Sequence, residues 1–461
     1  MQDRNAELHS QQHRKHVRRR VRRSQAVDFF NVLTGPELLS RTEAYLPAHR
    51  ERLYPPTVTL SMFIKQALAE DSSCQQAVNS WAAQRAAEGL RPQSIRTGGY
   101  CKARQRLPLD MVMALTRETG RLLSARAQAC WRWRGHAVKL VDGTGISMPD
   151  TPENQAHYPQ PSSQAEGVGF PLARLVGVIC LSSGAALEAA MGPFAGQGHS
   201  ELDLFRGLLG AFSPGDVMLA DALYCNYFLI ATLQAAGVEV LFEQHGARRT
   251  DFRRGHRLGP RDHQVRWSKP KTRPQWMTAA QYQAFPDALT VREVAVGGRV
   301  LVTTMCDPRK VRKGALSQLY ARRWHVELDL RNIKTTLGME VLRCRTPQMI
   351  DKEMWAHLLA YNLIRLLMAQ AALKAGIHPR ELSFKHTLQL WTAWLSQRLG
   401  GHTTEHQTSL FRLIAQRKVA NRAGRTEPRA RKRRPKSYPW LKVPRAQARE
   451  QIRIYGHLLN A

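Results

Sequence analysis

Acidic residues are scarce in this chain. Across 461 residues, 36 Asp and Glu stand against 69 Lys and Arg, a formal net charge of +33. A surplus that large repels itself unless an anionic partner is near, and it points to nucleic acid, with binding that weakens steeply as salt rises. Long apolar runs are also missing. No stretch of about 18 consecutive apolar residues occurs, and no basic cluster precedes a spanning segment, which argues against a membrane partner. The seven cysteines (Cys74, Cys101, Cys130, Cys180, Cys225, Cys306, Cys344) are odd in number and never in C-x-x-C spacing. That excludes a disulfide framework or a zinc module and reads as reduced, intracellular thiols. The opening "MQDRNAELHSQQHRKHVRRRVRRSQ" lacks the apolar centre of a secretory signal. It is arginine-rich like an organellar transit peptide, but Asp3 and Glu7 argue against one.

What is present is enough apolar material for a sizeable core, 43% of residues, in a chain long enough for about two to four domains. After the basic run at 14–23, the pattern to about residue 125 is helical and short-looped, with Leu60, Phe63, Ile64, Ala67 and Leu68 at helical spacing. "SIRTGGYCKARQRLP" then gathers Arg96, Lys102, Arg104 and Arg106. Residues 1–125 read as an all-helical DNA-binding domain with a basic arm; a helical packing or dimerisation domain is the alternative.

Near residue 137 the period changes. "AVKLVDGTGISMP" reads as a strand ending in a loop, and "LARLVGVICLSSGAALEAAMGPF" as two strands across a turn at Ser182–Ser183–Gly184. A helix ("HSELDLFRGLLGAF"), a strand buried on both faces ("GDVMLAD"), a helix ending at Gly237 and the strand "VEVLFEQH" follow. Three strands in a meander, then helix, strand, helix, strand, is the order of a ribonuclease H-like α/β core with a mixed sheet, here 126–245. Residues 246–312 then break the pattern with an Arg-, Lys-, Pro- and Gly-dense stretch and a hairpin at Gly297–Gly298, a β-rich insertion. The core resumes over 313–375, and 376–461 is a helical C-terminal region with a basic tail. "DKEMWAHLLAYNLIRLLMAQAALKAG" reads as a long, largely buried helix.

Three acidic residues hold informative places: Asp142 at the end of the first strand, Asp221 at the end of the fourth, and Glu327 on a late helix. In a ribonuclease H-like sheet the first and fourth strands are adjacent and parallel, and a late helix packs on them, so the three carboxylates can converge. Clustered carboxylates repel unless cations intervene, and hard divalent ions prefer oxygen ligands. Two such ions can activate a water or hydroxyl and stabilise the leaving oxygen of a phosphodiester. An Asp at a strand end is also a common turn or helix cap. Glu153, Glu188, Asp203 and Glu243 have no comparable placement and read as structural or solvated.

The late helix, "YARRWHVELDLRNIK", carries Tyr320, Arg323, Glu327 and Lys334 within an arc of about 60°, along a row about 21 Å long. Leu319, Val326, Leu330, Ile333 and Leu337 form an adjacent apolar stripe, while Asp329, His325 and Asn332 point away from both. On its own the row is also explained as a helix edge with one Arg323–Glu327 pair worth about 0.3 kcal/mol.

With those residues in view, the chain resembles the DDE transposases of bacterial insertion sequences, specifically the insertion-sequence-4 family. Its signature is Tyr, two residues, Arg, three residues, Glu, six residues, Lys, and every gap matches here. "VDGTG" and "LADALY" match the contexts of the first two carboxylates, and the β-rich insertion also matches. The resemblance spans about residues 27–400. It implies an enzyme that binds the element's terminal inverted repeats, cleaves the ends through a hairpin, and joins them to target DNA. Asp142, Asp221 and Glu327 would be catalytic and bind two Mg2+ ions, with Mn2+ expected to substitute. Tyr320, Arg323 and Lys334 would hold the strand near the cut. An aromatic from the insertion would stack on a flipped base, with Trp267 the first candidate and Trp276 the reserve. Arg253, Arg254, Arg266, Lys269 and Lys271 would supply phosphate contacts. The implied setting is a homodimer on double-stranded DNA in a bacterial cytoplasm, associated with the nucleoid and with no membrane partner. A non-catalytic DNA-binding repressor of transposition and a ribonuclease H-like nuclease without strand transfer are the alternatives.

Overall fold

The computed structural model describes residues 45, 53–87, 89–90, 93–196, 198–396, 404–419 and 440–459. The basic runs at 14–23 and 421–439, and the helical reading of 26–44, lie outside the described residues.

Among the described residues four α-helices precede the sheet: α1 (Pro56–Leu68), α2 (Cys74–Ala87), α3 (Gly98–Arg106) and α4 (Leu109–Ala125). The expected α1 stripe is buried in full: Leu60, Phe63, Ile64, Ala67 and Leu68. Arg104 departs from its expected basic cluster. It is buried, its guanidinium lies over the rings of Phe63 and Tyr100, and it donates to the Cys74 sulfur at 3.1 Å. Its stem and planar head are used in packing, so it is withdrawn from any phosphate contact.

One sheet of nine strands organises the rest, in the order β3-β2-β1-β4-β5-β9-β8-β7-β6. The strands are β1 (Val138–Ser147), β2 (Leu172–Cys180), β3 (Ala186–Pro193), β4 (Val217–Ala220), β5 (Glu239–Glu243), β6 (His256–Gly259), β7 (Asp262–Ser268), β8 (Ala288–Val296) and β9 (Arg299–Thr303). The β1–β4 and β4–β5 pairs are parallel and the others antiparallel. Helices flank this mixed sheet, which makes the fold a ribonuclease H-like α/β core with helical extensions. Alternation along the strands decides which helices cover which face. Leu140, Leu219 and Leu241 pack with Leu316, Leu319, Val326 and Leu330. Val141, Met218, Ala220, Val240 and Phe242 turn the other way, toward Phe205, Phe228 and Ile230. All four β4 residues are buried, as an apolar run flanked by parallel neighbours requires.

One feature differs from the sequence reading. Asp142 does not end its strand: β1 continues to Ser147, with Gly143, Thr144 and Gly145 paired to β2. The 246–312 segment carries β6 to β9. Strand β9 pairs with β5, so the insertion prolongs the core sheet edge to edge. A buried Arg292–Asp262 pair at 2.8 and 2.6 Å, with Arg292 also donating to the Val311 carbonyl at 2.7 Å, ties it to the approach of the late helix.

That helix is wound unevenly. An α-helix α5 lies earlier at Pro152–His157, α6 spans Glu201–Arg206, α7 Tyr227–Ala235 and α8 Ala279–Ala284. The late segment then runs as α9 (Lys313–Ala321), a 3₁₀ turn (Arg322–Trp324), α10 (His325–Arg331) and a π-helical stretch (Asn332–Thr336). Tight winding is thus followed by wide winding, a local irregularity of the kind found at functional sites.

Behind it runs α11 (Pro347–Ala375), with Gly376 closing it in the left-handed conformation. Its apolar residues share one core with α1, α4, the end of β1 and the late helix. Among the described residues α11 alone is long and apolar enough to cross a bilayer by composition, but 83% of that window is buried inside the fold. Helices α12 (Phe384–Ser396), α13 (Thr404–Gln416) and α14 (Arg445–Tyr455) complete the described chain.

Candidate active site

The parallel β1–β4 register pairs Val138 with Val217 and Leu140 with Leu219. Carried on two residues, that offset sets Asp142 level with Asp221. Strand β4 stops at Ala220 while β1 continues, so β1 loses its neighbour on that side at this level and a cleft opens. Asp142 accepts from the Gly143 N–H at 2.9 Å. Asp221 caps a 3₁₀ turn (Ala222–Tyr224), accepting from the Leu223 N–H at 2.9 Å. The capping explanation therefore holds for Asp221, and its place beside Asp142 adds a second one.

The electrostatics of Asp142 register its acidic neighbours. Burial pushes Asp142 up to about 7, and the charges of Asp221 and Glu201 push in the same direction against the Gly143 N–H and Arg323. Burial also raises Glu201, with Asp221 again contributing and Arg174 opposing. Glu201, at the start of α6, was not singled out in the sequence. Its neighbours Ser200 and Asp203 form a capping box that marks a helix start, and nothing local shows where its side chain reaches.

The late helix lies across this point, and each member of its row has a distinct partner. Arg323 donates to Glu327 at 2.8 Å, and Lys334 donates to the Thr144 hydroxyl at 3.1 Å, two residues from Asp142. Tyr320 is buried and donates to Glu243 at 2.9 Å; burial and that carboxylate drive its phenol well above the ordinary range. Glu243, read as structural or solvated, is thus the acceptor that orients Tyr320, and Arg299 pairs with it at 3.2 Å. The apolar stripe Leu319, Val326, Leu330, Ile333 and Leu337 is buried as expected.

Asp329 corrects the helical reading. Rather than pointing away, it is fully buried and forms ion pairs with Arg365 of α11 and, at 2.5 Å, with Arg380. The Tyr361 hydroxyl lies 3.0 Å from it, and Arg380 also donates to the Leu181 and Cys180 carbonyls. This cluster bolts the helix of Glu327 to α11 and to the β2–β3 turn. His325 sits beside the same cluster, where burial and then Arg380 hold its imidazolium down to about 4.

Trp267 is a second correction. It is 3% exposed, its indole N–H donates to Glu293 at 2.8 Å, and Arg248 covers the ring at 3.7 Å. A ring so enclosed is core and presents no free face. Trp276 is 46% exposed, with the Arg206 guanidinium of α6 over its ring at 3.8 Å. Of the expected phosphate contacts, Arg253 and Arg254 are exposed beside Asp251, Arg266 and Lys271 are exposed, and Lys269 is held by Asp287 at 3.0 Å.

The donors around the cleft are all carboxylate oxygens, the chemistry that suits a hard divalent cation. Among the described residues no three acidic, His or Cys groups already stand close enough to hold an ion. Asp142 and Asp221 stand together, while Glu327 is drawn to Arg323. The raised proton affinity of Asp142 comes from burial among like charges, surroundings that a bound cation would relieve.

The chain is similar to known proteins. A family model described as the transposase DDE domain matches residues 133–363. The transposase InsG for insertion sequence element IS4 of Escherichia coli (strain K12) is 30% identical over 420 residues, 88% of this chain and 91% of that protein. A cryo-EM structure of the piggyBac transposase synaptic complex with hairpin DNA is 10% identical, with a TM-score of 0.40 over 86% of each chain.

Proposed function

The chain belongs to the insertion-sequence-4 family of DDE transposases, and from that premise we propose that it binds the terminal inverted repeats of its element, cleaves both ends by two-metal phosphodiester chemistry through a hairpin, and joins them to target DNA. The observation that carries the reading is the level placement of Asp142 and Asp221 at the end of the parallel pair, where the Asp221 charge helps to raise Asp142, under the late helix that carries Glu327.

Asp142, Asp221 and Glu327 would hold two Mg2+ ions, with Mn2+ as a substitute. Bound there, the ions would supply Lewis acidity to the attacking and leaving oxygens. The chain's own residues do the rest. Lys334, already 3.1 Å from Thr144, lies where a strand entering the cleft would bring a phosphate. Arg323 has two tasks: it neutralises Glu327 while the cleft is empty of DNA, and it can turn to a phosphate once Glu327 takes a cation. Tyr320, fixed by Glu243, forms the wall of this row rather than a mobile contact. Trp276, with its exposed ring, replaces Trp267 as the aromatic proposed to receive a flipped base. Pairing two ends implies a homodimer on DNA, and the setting is the bacterial cytoplasm, at the nucleoid.

The test is incubation of purified protein with DNA carrying the repeats that flank its gene, a target plasmid and Mg2+. Cleaved ends and joined products are expected, with hairpin-ended intermediates on denaturing gels. Binding without cleavage would support the repressor instead, and cleavage without joined product the nuclease.

A further inference from the structure

Beyond the three expected carboxylates, the cleft contains a fourth, and its approach is unusual. Asp142 shares a sheet face with Leu140, the face covered by the late helix. Gly143, the next residue, points to the opposite face, where α6 packs through Phe205. A Cβ built on Gly143 would stand 2.4 Å from the Glu201 carboxyl carbon and 2.7 Å from both its oxygens. The carboxylate therefore occupies the volume that any side chain at 143 would fill. At this level β4 has ended, so the two sheet faces communicate through the open edge of β1.

A second observation points the same way. Tyr224 follows Asp221 by one 3₁₀ turn, is fully buried, and its hydroxyl has no regular hydrogen bond. No acceptor meets that hydroxyl at hydrogen-bond geometry; burial first, and then the nearby Glu201 charge, raise its phenol. A fully buried hydroxyl left without a partner is a costly arrangement to keep without a task.

We propose that Glu201 is a fourth carboxylate of the cation site, entering from the opposite sheet face through the space left by Gly143 and beside the unpartnered Tyr224 hydroxyl, where it would accept a hydrogen bond from water carried on a cation held by Asp142 and Asp221. Magnesium and manganese retain water when few carboxylates reach them directly, so an acceptor one shell out has something to grip. Glu201 is thus a positioning residue, and the space left by Gly143 admits it. The inference rests on the cation-binding reading of Asp142 and Asp221.

The experiment titrates Mn2+ alone into the full-length protein, followed by the electron paramagnetic resonance of free Mn2+, with thermal unfolding of each variant alongside. Glu201→Gln is expected to weaken Mn2+ binding on the order of tenfold, the usual loss when an outer partner of a metal site is removed. Glu201→Asp should recover part of it. Gly143→Ala should weaken binding similarly by displacing the carboxylate, and should add nothing when combined with Glu201→Gln, because both remove one interaction. Wild-type Mn2+ affinity in Glu201→Gln, with affinity lost in Asp142→Asn, would overturn this proposal and leave the cation site standing. Wild-type affinity in Asp142→Asn as well would overturn the cation reading and this inference together.

Discussion

Replacing Asp142 by Asn should stabilise the protein while abolishing its activity, and the gain should depend on pH. Asn is nearly isosteric, keeps an oxygen to accept from the Gly143 N–H, and never ionises. In the folded chain the Asp142 carboxyl is pushed up to about 7, by burial first and by Asp221 and Glu201 next; unfolded, it returns to about 3.9. A carboxyl whose folded value is raised costs nothing below the unfolded value. As pH rises from about 4 to about 7, the unfolded chain ionises first and stability is lost; above about 7 the loss is constant. At about 1.4 kcal/mol per pH unit the full gap is about 4 kcal/mol, and solvent entering the open cleft trims it to about 2–4 kcal/mol. Urea unfolding of both proteins in the absence of divalent ions should therefore give close curves at pH 4.5, and at pH 8 a variant more stable by that amount. Millimolar Mg2+ at pH 8 should stabilise the wild type and not the variant, closing the gap. A variant no more stable than wild type at pH 8 would refute the claim that Asp142 is ionised there at the expense of stability.

Four further variants test the geometry. Glu327→Ala should abolish strand cleavage while a gel-shift assay shows end binding largely intact, since the side chain is partly exposed and paired with Arg323, outside the core; retained cleavage would remove Glu327 from the site. Trp276→Ala should slow the step after nicking more than the nick, measured by product ratios over time, whereas Trp267→Ala should instead cost about 3–5 kcal/mol in urea unfolding, as for other buried aromatics. Asp329→Ala, which leaves Arg365 and Arg380 buried without their carboxylate, should cost about 3–5 kcal/mol by the same assay; a loss under about 1 kcal/mol would mean that the cluster contributes little.

What could be read from the sequence was what the local pattern encodes. The apolar β4 run, the hairpin at Gly297–Gly298 and the buried stripe of the late helix all follow from side-chain periodicity, and each is found where expected. The places of Asp142 and Asp221 could be inferred because the order of elements fixes which strands lie side by side. The misreadings share a cause: partners distant in sequence. "DGTG" looks like a turn, yet it stays in the sheet because β2 supplies a full ladder beside it, and its glycine serves a close approach rather than a bend. Nothing near Asp329 indicates that two arginines 36 and 51 residues onward will meet it. Trp267 and Trp276 sit in equally basic, broken sequence, and only the pairing of β7 with β8 buries the first.

The common core beneath α1, α4 and α11 bears on any attempt to dissect the protein. Helix α4 ends at Ala125, so a fragment beginning just after it looks like a tidy enzymatic unit. Such a fragment would carry α11 with its contacts to α1 and α4 stripped, leaving part of the shared apolar core without its cover. It should precipitate or be recovered only with detergent, and a workable truncation must retain everything from α1 onward.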